Sequence, residues 1–416
     1  MLTSIIDQIC RTEGPRVLAG LIRRFGDFDL AEDALQEAFA KALKIWPARG
    51  LPETPAAWLT TVAQRQALDL LRARQRGPLY TDDPPDLAAP QADVETELEP
   101  DPADVSGVGD DRLRLVFTCC HPALSPQAQT ALALRTLCGL STRDIAHAFL
   151  EPEATTAQRL VRAKRKIRDA HIPYVVPARE DLPQRLQAVL GVVYLVFNEG
   201  YAATSTPGLI RPDLCTEAIR LARLLVELMP QEPEVLALLA LTMLHDARRG
   251  TRLTGDGELV PLEEQDRALW NRPAIDAGLA LLDQALAFHR RGPYQLQAAI
   301  AALHAQAARA QDTDWKQIAA LYRGLLNDQH NAVIELNAAV ALAMAEGPQQ
   351  GLDWIDYLAQ RDELRNYHLL HAARADLLRR LGQFSAARDA YSAALLLVHS
   401  DAERSYLLRR LAECGV

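Results

Sequence analysis

The sequence predicts an all-α protein: two small helical domains joined by an acidic linker, followed by a solenoid of stacked helix pairs. Three observations point there. Of the 416 residues 49% are apolar and only 6% aromatic, and Ala, Leu and Arg abound where β-branched runs are few, a composition that favours helix. Six cations crowd into ten residues, Arg159 to Arg168, although the chain as a whole carries -9. A pattern of a small or apolar residue, then apolar residues four and three positions on, recurs through the C-terminal half, as it does in helix pairs that bury their faces only by stacking.

The first block spans residues 1–76. Asp29, Asp33 and Glu37 stand four apart and line one helix face, with Leu35, Phe39, Ala42 and Trp46 as the opposite, apolar stripe. A Pro/Gly-containing loop from Pro47 to Pro55 leads into a second helix, which Pro55 can start. Its core side is Trp58, Leu59, Val62, Ala67, Leu70 and Leu71, while Arg65, Arg72, Arg74 and Arg76 project as cations. Residues 77–110 then hold ten acidic residues, no basic ones and several prolines. Low hydropathy with high net charge predicts a flexible, extended linker, and its reach of about 110 Å is ample to join two binding domains.

The second block, 111–175, contains a helix-turn-helix pattern. Ile145 and Ala146 face the core from its first helix. Thr155 suits the N-cap of the second, whose buried stripe is Leu160, Ala163 and Ile167. That leaves Thr156, Gln158, Arg159, Arg162, Lys164, Arg165 and Lys166 to exposed faces. Gln pairs bidentately with adenine and Arg with guanine, so Gln158 and Arg159 are the candidate base readers, with the later cations on phosphates. A solvated basic face on an ordinary surface helix is the plainer reading of the same residues.

From 182 to 416 the repeating triplets are Ala218/Ala222/Leu225, Gly278/Leu282/Ala285, Ile318/Tyr322/Leu325, Gly351/Ile355/Leu358 and Ala387/Tyr391/Ala394. Their first members lie 60, 40, 33 and 36 residues apart. Three of these intervals bracket the 34-residue period of tetratricopeptide repeats. The long interval implies an insertion, the polar stretch from Asp246 to Pro273 with its TGDGE turn. A concave peptide- or protein-binding surface is the usual consequence of such stacking.

Other classes find no support. No CxxC pair is present among Cys10, Cys119, Cys120, Cys138, Cys215 and Cys414. Adjacent Cys119 and Cys120 with His121 lack chelating spacing, so neither a metal nor another cofactor is expected. There is no phosphate-binding glycine loop, HExxH or nucleophile elbow, which argues against an enzyme. The N-terminus lacks a signal-peptide pattern and the longest apolar stretches are too short to span a bilayer, so a cytoplasmic, membrane-free protein is expected.

In order and spacing, these blocks resemble bacterial RNA polymerase sigma factors of the extracytoplasmic-function type. Ala31 to Phe39 (AEDALQEAF) is similar to the helix that binds core polymerase. Pro55 to Arg72 (PAAWLTTVAQRQALDLLR) is similar to the helix that handles the -10 element, and Asp144 to Arg168 keeps the spacing of the -35 helix-turn-helix. The resemblance implies that Asp33, Gln36 and Glu37 meet a basic coiled coil of core RNA polymerase. It also implies that Trp58, Arg65, Arg72 and Arg74 lie along the -10 strand of promoter DNA, with the Pro47–Pro55 loop near a flipped base. The 182–416 extension resembles that of one large sigma group, which also shares the motif VYLVFNEGYAAT; here Asn198, Glu199, Gly200 and Tyr201 mark either a helix C-cap or a docking contact. A DNA-binding regulator with a helical-repeat sensor that never joins polymerase is the competing reading, and the acidic 31–39 helix is what it leaves unexplained.

Overall fold

The computed structural model describes residues 2–76, 110–149, 151–203, 209–328 and 331–415. Among them the only extended pairing is one antiparallel bridge, Leu253 to Leu259; everything else regular is helix. The chain divides into two compact units, Met1–Val192 and Val193–Val416. The 77–110 linker, apart from Asp110, lies outside the described residues.

Unit 1 opens with three helices, α1 (Leu2–Phe25), α2 (Phe28–Arg49) and α3 (Pro55–Arg76). Asp27 caps α2 through its carboxylate, which accepts from the Asp29 (2.9 Å) and Leu30 (3.0 Å) amides. This satisfies two of the orphan donors at that helix start. The expected apolar stripe is buried at Leu35, Ala42 and Trp46 and half-buried at Phe39. The predicted Pro47–Pro55 loop is shorter than expected. Pro47 lies in the last turn of α2, and the connection proper begins at Gly50, whose amide returns to the Trp46 carbonyl at 2.9 Å. Proline is tolerated there because the helix end is exposed and loses only one backbone bond.

Four more helices follow: α4 (Asp111–Cys119), α5 (Pro126–Thr136), α6 (Thr142–Ala148) and α7 (Glu153–Asp169). Asp110 caps α4 and Ser125 caps α5, with Pro126 at the first helical position. These helices bury Leu113, Leu115, Val116, Phe117, Leu132, Ile145, Leu160 and Ile167. The two blocks that flank the linker lie in one compact unit: α1 packs against α4 and α5. The Tyr174 hydroxyl lies 2.7 Å from the Asp111 carbonyl and 3.1 Å from that of Ala19. Asp111 itself bonds Arg114 at 2.7 Å and pairs with Arg23 at 3.4 Å.

Helix α8 (Leu182–Tyr201) carries the division between the units, at 192/193. Unit 2 then runs through α9 (Pro212–Leu228), α10 (Pro233–Asp246), α11 (Arg272–Leu286), α12 (Pro293–Gln306), α13 (Trp315–Asp328), α14 (Ala332–Glu346), α15 (Pro348–Ala359), α16 (His368–Arg380), α17 (Phe384–Leu397) and α18 (Asp401–Glu413). Each packs on its sequence neighbours. The five repeating triplets fall on α9, α11, α13, α15 and α17, and all their members are buried except half-buried Tyr322. The insertion lies between α10 and α11. Its Glu263 carboxylate grips Arg380 with both oxygens at 2.9 Å, and Glu264 bonds Arg410, tying the insertion to α16 and α18.

Two histidines in this unit are held neutral. Burial, reinforced by Arg248 and Arg267, lowers His304 to about 3. Burial with Arg248, His304 and Arg252 lowers His245 well below its ordinary value. In the unfolded chain both take up protons near pH 6.5, so the unfolded state binds more protons below that pH. The stability of unit 2 is therefore full above about pH 6.5 and falls as pH drops toward 3, by up to about 1.4 kcal/mol per pH unit for each histidine. Chemical denaturation at pH 7.5 and 5.5 checks this, and His304→Gln is expected to flatten the difference.

Candidate nucleic-acid interface

Helix α7 presents the strongest chemistry in unit 1. Its buried stripe is Thr156, Leu160, Ala163 and Ile167, so the expected positions 160, 163 and 167 are as read. Two expectations are corrected. Thr155 is not the N-cap: α7 begins at Glu153 behind Pro152, with no side-chain cap bond, and Thr155 stands exposed in the first turn. Thr156 is fully buried rather than exposed, its hydroxyl bonded to Glu151. The helix starts three residues earlier than the Thr155 cap implied, and Thr156 then falls on the inner face, four residues before Leu160.

The cations of α7 divide into two sets. Arg162, Arg165, Lys166 and Arg168 are exposed, as is Gln158. Arg165 and Arg168 reach the neighbouring carboxylate of Asp169 at 3.2 and 3.6 Å, exposed pairs that are worth little in water. Arg159 and Lys164 are engaged instead. Arg159 forms a two-pronged pair with Glu151, one limb at 2.7 Å, and lies 5.3 Å over the Phe149 ring. Its hydrogen bond holds the Glu151 carboxyl below the ordinary range. Lys164 reaches across to α2, at 2.8 Å from Glu32 and 3.1 Å from Asp29, and is only 11% exposed. Arg135 adds a longer contact to Glu32 at 3.8 Å.

The exposed set lies beside a groove between the start of α5 and the face of α7. Ser125, Ala128, Thr155, Gln158, Arg162 and Lys166 line it. Its lining combines the hydrogen-bonding groups of Ser125, Thr155 and Gln158 with the exposed cations Arg162 and Lys166, a combination that can hold a phosphate backbone while offering an amide to a base edge.

The other predicted residues are placed as follows. Asp33, Gln36 and Glu37 are exposed together on one side of α2, away from its buried stripe. Trp58 is half-buried and packs edge-on against Trp46, ring centres 5.2 Å apart, so part of its surface belongs to the core. Arg65 is exposed, and Arg72 is exposed beside Asp69 at 3.3 Å. The Arg74 side chain lies outside the described residues. In unit 2 the Asn198–Tyr201 motif forms the last turn of α8, with Glu199 and Gly200 buried. The C-cap reading of Gly200 is corrected: it is helical, and what demands glycine is the approach of α9. A Cβ there would fall 2.6 Å from the Cys215 amide nitrogen.

Cys119 and Cys120 are buried in unit 1 and burial raises both, Cys119 to about 12. Among the described residues no group of three or more His, Cys, Asp or Glu is placed to hold a metal ion, and no helix is long and apolar enough to cross a membrane. Sequence reading missed Glu32, Glu151 and Tyr174. Only Glu151 had a local signal, a carboxylate in the turn before a helix whose second turn carries Arg159.

Comparison with known proteins bears on each segment. Residues 9–77 match the family Sigma-70 region 2, residues 114–167 match Sigma-70, region 4, and residues 185–286 match a family of unknown function, DUF6596. The chain is 44% identical over 409 residues to the uncharacterized protein R00370 of Rhizobium meliloti, covering 98% of this chain and 96% of that one. It is 31% identical over 154 residues to the ECF RNA polymerase sigma-E factor of Haemophilus influenzae, covering 36% of this chain and 79% of the relative. It is 30% identical over 150 residues to the probable ECF RNA polymerase sigma factor SigI of Mycobacterium tuberculosis, where half of the relative is spanned. No solved structure is significantly similar.

Proposed function

The chain belongs to the extracytoplasmic-function sigma factors of the sigma-70 family, and from that premise we propose how its parts divide the work of starting transcription. Region 2 would bind core RNA polymerase through Asp33, Gln36 and Glu37, and the -10 element through Trp58, Arg65, Arg72 and Arg74. Region 4 would bind the -35 element through Gln158, Arg162, Arg165 and Lys166 on the exposed face of α7, with Arg159 and Lys164 recruited once their carboxylates release them. The TPR-like unit would regulate that activity, and the protein would act in the cytoplasm as an initiation factor rather than an enzyme.

The observation that carries the reading is the order of the two sigma regions together with the exposed Gln158/Arg162/Lys166 wall. The engaged cations add a mechanical requirement. A sigma factor must reach two separated promoter elements, whereas Lys164 here is held by Asp29 and Glu32, so α7 and α2 would part when both elements are bound. Complementary charge on α2 favours fast, oriented association with a basic partner surface. Capture of core polymerase on the immobilised full-length chain tests the α2 assignment. Asp33→Lys is expected to reduce capture at least about tenfold, in line with the cost of a like charge across an interface, and undiminished capture would count against that face.

A further inference from the structure

Unit 2 holds a polar cluster that promoter binding does not use. Arg248, just beyond α10, has its Nη2 2.9 Å from His245 Nδ1 and its guanidinium 5.8 Å from the centre of the Tyr201 ring. Arg252 lies 3.9 Å over the same ring and donates to the Tyr201 carbonyl. His304 on α12 packs edge-on against Trp315, ring centres 5.1 Å apart, and its Nδ1 is buried with no hydrogen-bond partner. Arg267 donates to the His304 carbonyl at 2.6 Å. Arg248 and Arg252 therefore meet at one aromatic ring, that of Tyr201, with His245 held against the Arg248 guanidinium. Arg248, Arg252 and Tyr201 are half-buried, neither enclosed in the core nor on open surface.

The charge in this cluster does not balance. Among the described residues no carboxylate stands within ion-pair distance of Arg248, Arg252 or Arg267; the nearby acids are committed elsewhere. Asp246 pairs with Arg249 at 2.8 Å, Asp312 with Arg309 at 2.9 Å, and Glu403 lies 3.4 Å from His368. Glu403 and Asp312 act on Arg252 and Arg267 only through space. Like charges gathered in a partly dehydrated site repel one another, and an anion placed among them removes that cost. Guanidinium forks match the two oxygens of a carboxylate or phosphate, and aromatic walls exclude competing water.

We propose that Arg248 and Arg252, which share the Tyr201 ring, form a binding site for an oxyanion-bearing ligand, a carboxylate or phosphate group. The site stands independently of promoter recognition, since binding is read without polymerase or DNA.

The test titrates the full-length chain with inorganic phosphate and, separately, with a hexaglutamate peptide, against chloride at matched ionic strength, by calorimetry and thermal unfolding. Saturable binding of either probe that raises the unfolding midpoint beyond chloride supports the site. Phosphate alone points to a phosphorylated small molecule, the peptide alone to an acidic protein segment. Arg248→Gln is expected to weaken that binding at least about tenfold, the worth of a charge-assisted hydrogen-bond pair. It should leave the ligand-free protein no less stable, while the exposed Arg388→Gln on α17 changes affinity less than about twofold. Should Arg248→Gln fail to fold, Arg248→Lys retains the charge without the fork and must still weaken binding several-fold. No saturable binding of either probe, or affinity unchanged in these Arg248 variants, overturns the proposal.

Discussion

Replacing Arg162 and Lys166 together with alanine is expected to weaken binding to every DNA sequence, and to flatten the dependence of affinity on salt. Both side chains are exposed on α7 beside the groove, with no carboxylate partner among the described residues, so their loss removes charge without disturbing packing. Each phosphate contact contributes about 0.9 to the slope of log affinity against log salt, so the double variant should lose about 2 from that slope. Gln158→Ala should behave differently. It removes an amide suited to a base edge, so discrimination at one position falls by about 1–3 kcal/mol while the salt slope holds. Filter-binding titrations of both variants at several salt concentrations separate these outcomes. An unchanged slope in the double variant would mean that α7 does not grip the backbone through this face.

Gly200→Ala should destabilise unit 2 strongly, although it exchanges glycine for the best helix former. The added methyl would lie 2.6 Å from the Cys215 amide nitrogen, 2.9 Å from its sulfur and 2.9 Å from Leu214 Cβ. Backbone cannot yield as a long side chain does, so α9 must shift, at a cost of about 3 kcal/mol. For a unit of this size that lowers the melting midpoint by roughly 6–12 °C. Gly191 supplies the control on the same helix: it is exposed, with nothing within 4 Å of its added methyl. Gly191→Ala is expected to raise helix stability by roughly 0.5–1 kcal/mol. Calorimetric midpoints of opposite sign for the two substitutions are the expected result, and equal midpoints would show that the α8–α9 approach is looser than the structure has it.

Legibility from sequence followed how local each feature is. Ala218, Gly278, Ile318, Gly351 and Ala387 were readable as repeat markers because helical burial has a fixed period, and they fall on alternate helices with their partners buried, half-buried Tyr322 excepted. Leu160, Ala163 and Ile167 were readable for the same reason. Thr155 and Thr156 were misread because the helix start depends on Pro152 and on Glu151, whose carboxylate takes the Thr156 hydroxyl; a cap pattern alone does not choose between adjacent threonines. Gly200 looked like a helix end because glycine often is one, whereas its reason lies fourteen and fifteen residues away in Leu214 and Cys215. Lys164 with Glu32, and Arg248 with Tyr201, are tertiary juxtapositions that no spacing reveals.

Run-off transcription measures directly whether this chain acts as a polymerase specificity subunit. Purified core RNA polymerase is combined with the full-length chain on promoter DNA recovered by selection against genomic fragments. Transcripts with a single defined start are expected that require the chain, are absent with core enzyme alone, and fall sharply with the Arg162/Lys166 double variant. DNA bound by the chain at defined sites, with no transcript from core enzyme at any of them, would contradict that role and would favour a DNA-binding regulator.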